Sequence, residues 1–474
     1  MRVRGRSVVC PAGLAFLGVL TLSAPGLSQA APGLVTDAPP GILPGVKIGG
    51  SPNVHLVGHV PLGGYDAVND DEIEQAPGRP YAYVSMGDVH AGFAIIDLHD
   101  LSNVKLLYRW TIENPALHKT ILGATDGKYF KINGRYYYEQ TFQFTQGSPD
   151  DDLGAIVVDV TGLPDTNKIK VVARIREPKY PGGFHNSYVY RHSDGHTYLV
   201  VTVDGPHAEI YDLAKVLAGG DPTQWMIGEI PVPETQTNTR FGRFGYHDFY
   251  IGYDPATHQD KFYGAGRGGY YVYDITNISQ PKLLTSITGS AGIEFGHTFT
   301  PTPDGKFAVT ETEYTYAPLR IFDLQPGLEG KVQTISRPIG AWNADWRDLA
   351  HNHEVRWPFV FVSAYEDGLQ VFSMYDPTHP VTVGWYYTCQ CAHEIDPWGS
   401  DRWGVEQGAF GVDVRNRDGL IMISDSDTGA WFFKMDGFDS WNGHDWGMPN
   451  ISSVQDYDHG PEGAAPSGPS KPAA

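Results

Sequence analysis

The 474-residue sequence is poor in cysteine, in basic residues and in long apolar runs. Three cysteines exclude a disulfide-built scaffold. Lysine and arginine number 34 against 55 acidic residues, a formal net charge of −21. Nucleic acid and anionic membranes both demand a basic face, so neither is an expected partner. Charged residues make up only 19% of the chain, too few for a protein built of long helices. No apolar run beyond the N-terminus is long enough to span a bilayer. The sequence also has no Gly-x-Ser-x-Gly, phosphate loop or dinucleotide fingerprint.

Arg2, Arg4 and Arg6 precede an apolar run from Ala12 to Leu22, and Ser28-Gln29-Ala30 offers small residues for cleavage. This pattern predicts a signal peptide over 1–30, then a linker over 31–52, and hence a secreted or periplasmic protein. No Leu-x-x-Cys lipobox ends the apolar run. At the other end, 441–474 reads as an extension, and its Gly/Pro/Ala/Ser-rich tail from His459 predicts disorder.

Between these ends runs a repeat. An apolar strand ending in Asp and an aliphatic residue recurs as AIIDL, AIVVDV, AEIYDL, YYVYDI and LRIFDL, with degenerate copies LQVFSM and AWFFKM. Its aspartates are Asp97, Asp159, Asp212, Asp274 and Asp323. Each copy has an apolar run and a Gly- or Asp-containing hairpin upstream, and a polar turn and further apolar run downstream. Such four-stranded units bury both faces only by packing around an axis. The expected fold is therefore all-β: a single seven-bladed β-propeller of four-stranded blades over 53–440. The last copy lacks a fourth strand of its own, and NVHLVGHV (Asn53 to Val60) is expected to supply it.

The stretches GLQVFSMYDPTHPVTVGWY and YYVYDITNISQPKLL resemble the LVIVD repeat. From His351 to Phe433 the chain is similar to exported LVIVD-type propellers of the choice-of-anchor B kind. The resemblance implies a propeller and says little about a reaction. Ser373 and Lys434 depart from it, standing where Asp is expected, as does the insertion around TQGSPDDDLG.

A histidine opens the first strand of five consecutive units: His118, His185, His247, His297 and His351. First strands line the channel of a propeller. Neutral imidazoles converging there suit a transition metal, with iron or copper the candidates. The likeness to carotenoid-cleaving oxygenases, which hold iron with histidines from different blades, and to the copper-linked selenium-binding and methanethiol oxidase group is architectural only. The expected ligands are His185, His247, His297 and His351, with His118 and His353 as further candidates. Glu294 is the first choice to orient an imidazole, with Glu311 and Glu313 behind it. Strand alternation would turn Asp248 and Glu354 away from the channel. A purely structural role, each histidine bonding to the turn before its strand, stands as the other reading.

Two functions are thus carried forward. One is a metal-dependent oxidase or oxygenase of a small molecule. The other is a non-catalytic propeller presenting loops, such as the aromatic EIDPWGSDRWGVEQG, to a protein, glycan or cell-surface partner. His207, His379, His393 and His444 fall outside the register and read as surface or loop residues. Cys389 and Cys391 read as a disulfide or free thiols, DSDTG (Asp425 to Gly429) as a turn, and Asp150-Asp151-Asp152 as a solvated insertion.

Overall fold

Alternating apolar residues and Gly/Asp turns fold the chain into hairpins, and the hairpins chain into four-stranded antiparallel sheets. The computed structural model describes residues 49–64, 67–87, 91–114, 117, 120–233, 245–345, 349–389, 407–446 and 457–460. The expected signal peptide, most of the expected linker, His118, Cys391, His393, most of the aromatic loop and most of the C-terminal tail lie outside them.

Seven sheets form the ring. Their innermost strands are Val68–Ile73, Thr120–Ile132, Ser187–Arg191, Tyr246–Asp254, Thr298–Pro301, Asn352–Arg356 and Ala409–Arg415, which define blades one to seven in order. Blade seven takes its outer strand from the N-terminus: Val54–Val60 pairs antiparallel with Gly429–Met435, Val54 opposite Met435. This is the expected closure. The sequence did not suggest a second latch, Gly49–Gly50, which adds a fifth strand to blade six opposite Tyr386 and Tyr387. A side chain at Gly50 would meet the Trp385 carbonyl at 2.3 Å, so this close approach needs glycine.

The repeated aspartate has a local job. Asp97, Asp159, Asp212, Asp274 and Asp323 each end a third strand and accept the backbone N–H two residues on. That bond sets the turn into the fourth strand. In the sixth copy Ser373 Oγ accepts from Tyr375 N–H instead. Lys434 replaces the aspartate in blade seven, where the chain does not turn into a fourth strand and the lysine reaches Asp418.

The core is divided into clusters at blade interfaces. One joins Tyr188, Val200 and Ile210 of blade three to Phe249, Ile251 and Phe262 of blade four. Another joins Leu420, Met422 and Phe432 of blade seven to Val68, Ile73 and Val84 of blade one, which closes the ring. Burial of these side chains, about 1.5–3 kcal/mol each, is what holds blade to blade.

Two residues of the C-terminal extension pack onto the blades. Trp441 is buried and donates its indole N–H to the Trp357 carbonyl. Tyr457 packs edge-on against Tyr129 and donates its hydroxyl to the Tyr129 carbonyl at 3.1 Å. Among the described residues no helix is long and apolar enough to cross a membrane.

Candidate metal centre

Four of the register histidines come together at one mouth of the channel. His185 precedes the inner strand of blade three, His247 lies in that of blade four, and His297 and His351 precede those of blades five and six. Their rings follow one another in an arc. His185 Nε2 lies 2.9 Å from His247 Nε2. Ring centroids are 4.0 Å apart for His247 and His297, and 4.9 Å for His297 and His351. Phe410 of blade seven occupies the next position, its centroid 3.6 Å from that of His351.

Three of the four rings are held from behind by Nδ1. In His185 that nitrogen lies 3.1 Å from Gln143 Oε1. In His297 it lies 2.7 Å from Glu311 Oε2. In His351 it lies 2.8 Å from the Phe410 carbonyl. In His185 and His351 the facing oxygen only accepts, so Nδ1 carries the proton and Nε2 keeps its lone pair. His297, whose Nδ1 also lies 3.0 Å from Thr298 Oγ1, is charged and must release its Nε2 proton to bind an ion. Outer partners hold metal-binding imidazoles in the same way. His247 contributes through Nε2, and its buried Nδ1 has no hydrogen-bond partner.

Glu313 completes the group. Its carboxylate lies 3.4 Å from His297 Nε2, and ligand atoms of His247, His297 and Glu313 all fall within 4.8 Å of one another. Tyr365 donates its hydroxyl to Glu313 Oε1 at 2.6 Å. Both residues have left-handed backbones, φ 46° at Glu313 and 37° at Tyr365. Such conformations are costly for residues with a side chain and gather at functional sites.

Electrostatics divide the arc. Burial, helped by the charge of His297, lowers His185 to about 4 and His351 to about 3, and burial also depresses His247. Burial opposes charge on His297 too, but Glu311 and Glu313 outweigh it and raise that imidazole to about 9. Three neutral imidazoles, a fourth between two carboxylates and the Glu313 carboxylate form a donor set suited to a divalent transition metal.

Several expectations fail, for local reasons. Glu294 is exposed, and Glu311 rather than Glu294 holds His297. His353 does not follow His351 inward. Asn352 and Glu354 line the channel, so His353 between them turns away toward Val309 of blade five, where burial lowers it to about 3. Asp248 and Glu354 face the channel rather than away from it. A bulge between Tyr246 and Asp248 breaks the alternation after His247. His207 is a buried strand residue, not a surface one, whereas His379 is exposed and His444 is half-buried in a short 3-10 turn. Cys389 is disulfide-bonded. Asp425 holds a turn through the N–H groups of Asp427 and Thr428, and Arg176 pairs with Asp150 and Asp152 at 2.5 Å.

Below the arc the channel is acidic. Asp70, Asp71 and Glu72 of blade one, Asp126 of blade two, Asp248 and Glu354 line a small cavity of about 30 Å³, together with Asp413 of blade seven. Lys128 is the one cation in this lining, 2.7 Å from Asp126 and 3.8 Å from Glu72. Burial, then the charge of Asp126, raises Asp248 to about 7. The run NDDE was the available signal. It lies on the inner strand that begins at Val68. No protein-family model matches the chain, and no curated protein matches it.

Proposed function

We propose that this chain is an exported LVIVD-type propeller that binds iron or copper at the channel mouth and acts as an oxidoreductase on a small molecule. The observation that carries the reading is the convergence of four imidazoles from four blades: His185 and His351 each engage an oxygen acceptor through Nδ1, which leaves Nε2 for an ion, and His297, held at Nδ1 by Glu311, would release its Nε2 proton on binding. His185, His247, His297 and His351 would hold the metal, with Glu313 as the carboxylate ligand. A redox-active ion held by these residues would supply electron transfer to a small bound molecule.

The chain's own residues do the rest. Glu311 fixes the His297 ring, and Tyr365 orients Glu313 through its hydroxyl. Phe295 and Phe410 pack against the histidine rings and limit water at the mouth. Asp248, with a pKa near neutrality at the head of the acidic channel, is suited to carry a proton between the mouth and the cavity below.

Elemental analysis of untagged protein tests the reading, paired with alanine replacements at His185, His247, His297 and His351. Near-stoichiometric iron or copper, lost on replacement, is the expected result. A folded, metal-free protein after growth with both metals would overturn it and favour a non-catalytic binding propeller.

A further inference from the structure

Blade three carries a second group of ligand-type side chains, on the same face as the arc and two strands outward, roughly 10 Å away by strand spacing. His207 opens the strand His207–Asp212, and Glu209 follows on the same side of that strand. Glu229 lies directly opposite Glu209 on the neighbouring strand Met226–Pro231. His207 Nε2 is 3.5 Å from Glu209 Oε1 and 3.7 Å from Glu229 Oε1. These three ligand atoms all fall within 4.8 Å of one another.

Two further observations point to a cation site. His207 is 5% exposed, yet its Nε2 has no hydrogen-bond partner. A buried nitrogen in that state costs free energy unless something binds it. Like charges directly opposite on adjacent strands repel, and Glu209, 1% exposed, is opposite Glu229. Glu209 is also oriented, because Tyr211 donates its hydroxyl to Oε2 at 2.7 Å and so leaves Oε1 facing His207. The nearby cation, Lys179, lies over the Tyr180 ring and acts on Glu229 and Glu177 through its charge.

We propose that His207, Glu209 and Glu229 form a second metal site, for a divalent first-row ion of the zinc class, distinct from the channel mouth. One imidazole and two carboxylates without a thiolate suit such an ion. An ion here gives Nε2 its partner and offsets the facing carboxylates. Glu229 is partly exposed, so the outer side of the site is open to water and to exchange.

The test uses the full chain, dialysed against zinc, for the wild type and for Glu229→Gln and His207→Gln. Each variant is expected to lose one zinc equivalent, or to bind it at least about 100-fold more weakly, while the metal at the channel mouth is unchanged. Zinc should raise the Tm of the wild type more than that of Glu229→Gln. Should His207→Gln fail to fold, Glu229→Gln, a change at a partly exposed side chain, decides alone. Folded variants that bind as much zinc as the wild type overturn the proposal. Alanine at His185 bears only on the channel mouth, so the two readings fail separately.

Discussion

Glu311 touches the back of His297 and not the centre of the arc, so its influence on a bound ion runs through the imidazole. Glu311→Gln should therefore fold and still bind, with metal affinity lowered roughly 10–100-fold, as measured by competition with a chelator. An unchanged affinity would mean that the clamp does not orient His297. His353 gives the opposite expectation. Both its ring nitrogens are buried without a hydrogen-bond partner. His353→Leu should leave the metal content intact and keep or raise Tm, because an apolar group of similar size removes an unsatisfied one. Loss of metal in His353→Leu would restore it as a ligand. At this scale the sequence was partly legible. The register of His185, His247, His297 and His351 could be read because repeats align strand openings. Glu313 could be named but not ranked, since its approach depends on a left-handed turn after the strand Phe307–Glu311. The facing of Asp248 could not be read at all, because one bulge reverses a two-residue alternation.

At the level of the element, the recurring aspartate explains why the repeat was so visible: it is a turn residue with one geometric task, and each turn needs it afresh. Asp212 does slightly more than the others. Its carboxylate accepts from both Ala214 and Lys215 N–H and so caps the helix Leu213–Ala218. Asp212→Ala should lower stability by about 1 kcal/mol, and Asp212→Ser should recover most of it. Thermal unfolding followed by circular dichroism checks this, and equal Tm values for the Ala and Ser variants would refute the capping role. The strands themselves were readable from alternation and turn chemistry. Gly49–Gly50 was not, since a two-residue strand of glycine has no side-chain pattern and is specified by its partners Tyr386 and Tyr387.

For the whole molecule, the ring concentrates acid where water is scarce. Asp71, Glu72 and Glu139 are pushed well above the usual carboxylate range, burial being the first cause in each. Neighbouring acids add to the shift, as Asp70 and Asp413 do at Asp71. Such groups hold their protons more tightly folded than unfolded. Their contribution to stability is complete below the unfolded carboxylate range, about pH 4, and is lost as pH rises through the folded values. The metal-free protein should therefore melt at a lower temperature at pH 8 than at pH 5.5, with each such carboxylate worth on the order of 1 kcal/mol per pH unit while it titrates. Asp71 is the best single probe, because both its carboxylate oxygens are buried without a hydrogen-bond partner. Asp71→Asn keeps the shape and removes the charge, so it should raise Tm at pH 8, change it little at pH 5.5 and flatten the pH profile. A profile as steep as that of the wild type would show that Asp71 is not protonated on folding, and that the channel meets its charge another way.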